Sequence, residues 1–184
     1  MASSYDAGLF EAIAEVEPRS FWFRARNRLI VSTVRRHSPR ARDLLEVGCG
    51  TGFVLAALRD AFPGLRLVGA ELFAEGLAVA RRRLPDVELA ELDATRLSYD
   101  VVGAFDVLEH IDDDVGALRG MARAARHDGV VVLLVSQHPR LWSRMDTIAT
   151  MYDATRGASC SRRCTRRSSS LSKPRRSSPR SSRP

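Results

Sequence analysis

Residues 44–55 read LLEVGCGTGFVL, and this stretch decides the architecture. Leu44 to Val47 is a short apolar run of the kind that forms a buried strand. Gly48, Gly50 and Gly52 follow, and Phe53, Val54 and Leu55 open a helix. Glycine suits such a junction because it turns the backbone tightly and lets a ligand approach with no Cβ in the way. A phosphate-binding fingerprint after a strand would read G-x-G-x-x-G. Here the third glycine comes one place early and Phe53 stands in its position. A plain strand-to-helix turn and a nicotinamide nucleotide site are the competing readings.

Outward from this turn, short apolar runs alternate with helical segments. The pattern predicts strands at Asp43–Val47, Arg66–Glu71, Val87–Leu92, Val101–Leu108 and Gly129–Val135, with helices at Phe53–Phe62, Ala74–Leu84 and Val115–Arg126. Asp112 to Asp114 precede the last helix, where acids cap free amides and oppose the helix dipole. A metal site is the other reading of that cluster, and the cap is preferred. Regular alternation predicts a doubly wound α/β fold, a Rossmann-like parallel sheet with helices on both faces. Upstream, Leu9, Ile13 and Val16 recur at helical spacing. So do Trp22, Ala25, Leu29, Ile30 and Val34, which predicts two helices on one flank of the core. The chain therefore divides into an N-terminal helical cap over 1–40, the α/β domain over 41–150 and a tail over 151–184.

In a doubly wound sheet, ligands bind outside the carboxyl ends of the strands, and four features fall on that edge. The glycine turn is the first. Glu71 ends the second strand 19 residues beyond Gly52, where an acid can accept from both hydroxyls of an adenosine ribose. Asp93 and Ala94 follow the third strand and can meet an adenine edge. AFDVLEHIDDD, Ala104 to Asp114, ends the fourth.

Together these motifs resemble the class I S-adenosylmethionine-dependent methyltransferases, and more closely a small-molecule branch that includes ubiquinone-pathway O-methyltransferases. The resemblance runs from Glu17 to about Ile148. It implies S-adenosyl-L-methionine as cofactor and a small-molecule acceptor whose nucleophilic atom stays open. By that resemblance, Glu46, Gly48, Cys49, Gly50 and Gly52 surround the methionine part of the cofactor. Glu71 and Leu72 hold the ribose, Asp93 and Ala94 the adenine, and Asp106, Leu108 and His110 line the path to the methyl group. Positioning supplies most of such a reaction, up to roughly 7–11 kcal/mol, and a base adds about 10²–10⁴ in rate. His110 and then His138 are the candidate bases. A hydrogen-bonded strand-end histidine and an exposed loop histidine are their bland readings. Phe21, Trp22, Phe23 and Trp142 either roof an apolar acceptor or pack as core. The sequence departs from the family twice: the segment from Ala94 to Tyr99 is about four residues short, and an Arg/Ser-rich tail replaces the last strands. The fifth strand is then expected to keep an open edge, and a truncated, impaired cofactor-binding domain is the alternative function.

The bulk composition fits one soluble domain. The chain has 184 residues, 45% of them hydrophobic and 28% charged, with no apolar run long enough for a membrane span and no signal-peptide pattern. A cytoplasmic location is expected. Cys49, Cys160 and Cys164 make no disulfide framework, and Cys160 and Cys164 lack partners at zinc-site spacing, so no metal is expected. Formal charge is segregated. Residues 1–155 carry 19 Arg against 22 acids, whereas residues 156–184 carry nine Arg and Lys173 with no acid. Low apolar content predicts disorder in that tail. Its charge could attract nucleic acid or an anionic surface, but no aromatic side chain interleaves for base stacking, so nucleic acid is not the expected partner. GC-rich codons for Thr150 to Cys164, shifted by two bases, can spell HVRRDARRELLAAL, a helix-forming string. The tail therefore reads as a frameshifted product, with a genuine basic extension as the alternative.

Overall fold

The computed structural model describes residues 7–92 and 98–135. Helices α1 (Ala7–Val16) and α2 (Phe21–His37) precede β1 (Asp43–Val47), α3 (Phe53–Ala61), β2 (Arg66–Glu71), α4 (Ala74–Arg83) and β3 (Glu88–Glu91). Then come β4 (Tyr99–Phe105), a single 3-10 turn at Leu108–His110, α5 (Asp114–Ala124) and β5 (Ala125–Leu134). The strands lie in the order β3-β2-β1-β4-β5, and every neighbouring pair is parallel. Parallel neighbours need crossover connections, and the helices between the strands supply them. The doubly wound Rossmann-like α/β sheet expected from the alternation is present.

Strand β1 shows how the sequence sets this arrangement. Its successive side chains point to opposite faces, and Leu44 and Leu45 are both fully buried. Leu44 packs with Ile30 and Val34 of α2 and with Val54, Leu55 and Leu58 of α3. Leu45 packs on the other face with Val68, Val102, Met121 and Ala124 beneath α5. Each buried leucine contributes about 1.5–3 kcal/mol. A one-residue slip from the observed register, Leu44 opposite Leu67 and Leu45 opposite Val68, would exchange the two faces.

Several boundaries and faces differ from expectation. In α1 the buried side chain is Phe10, while Val16 is 54% exposed. Phe10 fills the space that Gly76 leaves on α4, where a Cβ would lie 2.9 Å from the ring. In α2, Ile30 and Val34 are buried as expected, but Trp22 and Leu29 are 50% and 59% exposed. Asn27 takes an inward place because its Nδ2 donates to the Phe53 carbonyl at 3.0 Å. Strand β4 starts at Tyr99 and stops at Phe105, short of Leu108. Asp106 adopts a left-handed φ of 56°, which ends the extended chain, and Leu108 belongs to the 3-10 turn. Strand β5 starts at Ala125 rather than Gly129. There Arg126 turns away from helical geometry to pair with Asp43 at 2.8 Å and with Asp100. Asp113 caps α5, accepting from the Gly116 amide at 2.8 Å. Among the described residues, β5 pairs with β4 alone. The tail, the expected loss of further strands, Asp93, Ala94, His138, Trp142, Cys160 and Cys164 lie outside the described residues.

Candidate functional site

Strand order reverses at β1, whose neighbours are β2 on one side and β4 on the other. A crevice outside the carboxyl ends of the strands at such a point is the general ligand position in open α/β sheets. The glycine turn enters it. The Gly48 and Cys49 amides donate to the Ala70 carbonyl of β2 at 2.7 and 3.0 Å. Gly48, Gly50 and Gly52 all have positive φ, at 70°, 52° and 75°, but for different reasons. A Cβ on Gly48 would stand 2.5 Å from Val107, and one on Gly52 would stand 2.9 Å from Leu84. A Cβ on Gly50 would meet nothing within 4 Å. Packing therefore demands two of the glycines, and the third faces open space. Cys49 turns the other way, into the core, with its sulfur close to Gly69. Burial, reinforced by Glu46 and Glu71, pushes its thiol pKa far up, so the group stays neutral and inert.

Carboxylates gather around the turn. Glu71 Oε2 accepts from the Gly50 amide at 2.8 Å, and its Oε1 accepts from the Leu72 and Phe73 amides at 2.8 and 3.1 Å. Leu72 itself is exposed beside it. Glu46 is 2% exposed, and its Oε2 has no hydrogen-bond partner among the described residues. Burial holds its carboxyl well above the ordinary range; Arg26 opposes this, and Glu71 and Glu17 add to it. Asp106 Oδ2 pairs with Arg26 Nη1 at 2.5 Å, whereas its Oδ1 is buried with no hydrogen-bond partner among the described residues. Burial also raises the Asp106 pKa, with Arg26 and then His110 pulling it back. Leu108 is buried in the cluster beneath α5. His110 is half-buried in the 3-10 turn, its amide donating to the Val107 carbonyl at 3.0 Å.

The structure thus brings Glu46, Gly48, Gly50, Gly52, Glu71, Leu72, Asp106 and His110 to one edge. It also adds residues that the sequence reading did not select. Arg26 reaches Asp106 from α2, with its guanidinium about 5 Å from the Trp22 and Phe23 rings, at 5.2 and 5.1 Å. Glu17, 4% exposed, accepts from the Thr51 hydroxyl at 2.7 and 2.8 Å and from Arg83 Nη1 at 2.7 Å. These groups lay hidden because a charged residue on a helix ordinarily signals a solvated face. The hint was that Glu17 opens the family-like segment and Arg26 lies within it. Four carboxylates, Glu17, Glu46, Glu71 and Asp106, therefore face two guanidinium groups, Arg26 and Arg83. Acids thus outnumber guanidinium groups at this edge, and burial holds Glu46 and Asp106 toward their neutral forms.

Comparison with known proteins agrees with this architecture. The family described as "Methyltransferase domain" matches residues 45–131. The chain is 40% identical over 114 residues to a dTDP-3-amino-3,6-dideoxy-alpha-D-glucopyranose N,N-dimethyltransferase of Streptomyces fradiae, covering 56% of this chain and 43% of that protein. It is 31% identical over 112 residues to a ubiquinone biosynthesis O-methyltransferase of Sodalis glossinidius, covering 55% of this chain and 44% of that one. The chain thus spans less than half the length of these relatives. Among solved structures, an S-adenosylmethionine-bound amino pentose methyltransferase from Micromonospora echinaspora superposes with a TM-score of 0.59 at 26% identity. That likeness covers 78% of this chain and 61% of the other.

Proposed function

We propose, from the premise that residues 45–131 form a class I S-adenosylmethionine-dependent methyltransferase domain, that this chain binds S-adenosylmethionine and methylates a small-molecule acceptor. The observation that carries the reading is the open space in front of Gly50, whose amide Glu71 holds at 2.8 Å at the carboxyl edge of the sheet. The cofactor has a sulfonium, an ammonium and one carboxylate, hence a net positive charge. An edge with four acids against two arginines fits such a ligand, since a bound cation would favour the ionised form of a buried acid such as Glu46.

When bound, the cofactor supplies an activated methyl group on sulfur. Glu46, with the backbone around Gly48 and Gly50, holds the aminoacyl end, and Glu71 with Leu72 holds the ribose. Asp93 and Ala94 take the adenine side. Asp106 and His110 stand at the acceptor side, and His110 receives the proton that an amine or hydroxyl acceptor must lose. Such a base contributes about 10²–10⁴ in rate. Trp22 at the start of α2, 50% exposed, is linked to Asp106 through Arg26, which lies over its ring and pairs with the carboxylate.

Calorimetric titration of the purified chain with S-adenosylmethionine tests the cofactor. Saturable binding at one site per chain is expected, and heats no different from dilution would overturn the reading. Transfer of a labelled methyl group to a panel of nucleotide-linked amino sugars and phenols then tests the acceptor. Both classes belong in the panel because one relative is an N,N-dimethyltransferase of a dTDP-linked amino sugar and another an O-methyltransferase of ubiquinone biosynthesis.

A further inference from the structure

Thr51 stands between the two glycines that frame the turn, and it is the most heavily bonded residue there. Its hydroxyl donates to Glu17, contacting both carboxylate oxygens at 2.7 and 2.8 Å. Arg83 Nη1, from the last turn of α4, donates to that hydroxyl oxygen at 2.8 Å and to the Thr51 carbonyl at 3.0 Å. The same nitrogen pairs with Glu17 Oε2 at 2.7 Å. Arg83 Nη2 reaches the Ala14 carbonyl of α1 at 3.2 Å, and its guanidinium lies 5.1 Å from the Phe53 ring centre. Glu17 and Thr51 are both 4% exposed. Three parts of the chain far apart in sequence therefore converge on one peptide: the end of α1, the glycine turn and the end of α4. Two peptides upstream, Glu71 holds the Gly50 amide at 2.8 Å.

We propose that Glu17, Thr51 and Arg83 form a positioning clasp that presets the glycine turn for its ligand. None of the three needs to touch the cofactor. A turn built from three glycines has unusual backbone freedom, and ordering it on binding would cost affinity. The Arg83 bond to the Thr51 carbonyl fixes the orientation of the peptide that links Thr51 to Gly52. The Thr51 hydroxyl fixes the same residue through its side chain, and Glu71 fixes the neighbouring amide. Gly50 is thereby held with its open side toward the crevice before any ligand arrives. Because Glu17 follows α1 directly, the inference also makes the N-terminal segment part of the cofactor site, although it supplies no ligand contact of its own. The clasp rests on the cofactor reading for its purpose but not for its existence.

The decisive pair of variants is Thr51→Val, which keeps size and removes the hydroxyl, and Thr51→Ser, which keeps the hydroxyl and removes a methyl. The affinity of each for S-adenosylmethionine is measured by titration, and backbone amide exchange over residues 48–52 is measured without ligand. The clasp predicts at least about a tenfold weaker Kd for Thr51→Val, as expected for loss of a charge-assisted hydrogen bond, with rescue in Thr51→Ser. It predicts faster exchange confined to the turn in Thr51→Val alone. Glu17→Gln should follow Thr51→Val in both readouts. Equal affinity and equal exchange in Thr51→Val and the parent would overturn the proposal. So would parallel losses in Thr51→Val and Thr51→Ser that merely follow the melting temperature. Should the parent bind no S-adenosylmethionine, the cofactor reading fails by itself. The exchange data then decide the clasp alone, with unchanged turn exchange in Thr51→Val counting against it.

Discussion

At the scale of single residues, the glycine turn separates stability from ligand binding. Gly52→Leu would thrust a side chain at Leu84 and Ala80, to which even a Cβ would be 2.9 and 3.3 Å away. It should therefore lower the melting temperature sharply. Gly50→Leu meets open space and bears mainly the left-handed φ penalty of about 1–2 kcal/mol, yet should abolish S-adenosylmethionine binding. Melting curves and titrations of both variants check this; similar melting temperatures with similar affinities would contradict it. Glu46 makes a second prediction. Its folded pKa is raised, so its contribution to stability is complete below the ordinary carboxylate value of about 4.3 and is lost as pH rises through the folded value. Glu46→Gln has no charge to bury. Without ligand it should match the parent near pH 4 and become the more stable of the two toward neutral pH, while binding the cofactor less well. Melting temperatures across that pH range give the test. A parent that stays more stable at pH 8 would show that the carboxylate is paired after all.

At the scale of elements, what the sequence disclosed depended on whether a pattern had one physical meaning. Asp43–Val47 and Arg66–Glu71 were legible to the residue because an apolar run that ends in glycine or an acid can hardly be anything but a buried strand. The edge holding Glu46, Gly50 and Glu71 followed from topology once those strands were placed. Arg126 was not legible: it continues an alanine-rich helical run, and only the distant Asp43 and Asp100 draw it into β5. The same holds for α2, where Asn27 and Arg26 face inward because Phe53 and Asp106 await them. This places one face of α2 in the core. Ile30 and Val34 belong to the same cluster as Leu44 and Leu55, and each such side chain contributes about 1.5–3 kcal/mol when buried. A chain beginning at Ala41 should accordingly lose cooperative thermal unfolding, as read by circular dichroism. A sharp transition near that of the parent would instead make residues 1–40 a separable cap.

At the scale of the whole molecule, charge is divided so unevenly that its two parts should act independently. The site edge gathers Glu17, Glu46, Glu71 and Asp106 against Arg26 and Arg83, an excess of acids that would suit the cationic cofactor proposed above. Residues 156–184 contribute nine Arg and Lys173 with no acid, a charge run that attracts polyanions through counterion release. No aromatic residue stands among those arginines, so aromatic base stacking is absent and attraction to the phosphate backbone should dominate. The full chain should therefore be retained on heparin at low ionic strength. It should bind single- and double-stranded DNA in a salt-dependent way, the logarithm of affinity falling by about 0.7–0.9 per phosphate neutralised for each unit of log salt. A chain ending at Thr155 should lose that retention and keep its affinity for S-adenosylmethionine, because the cofactor contacts proposed above all lie upstream. Two results would count against this division. A marked preference for one nucleic-acid sequence would show base-edge contacts beyond the charge attraction. Loss of cofactor binding on removal of residues 156–184 would show that the basic run serves the site, and the acid-rich edge would then need a different account.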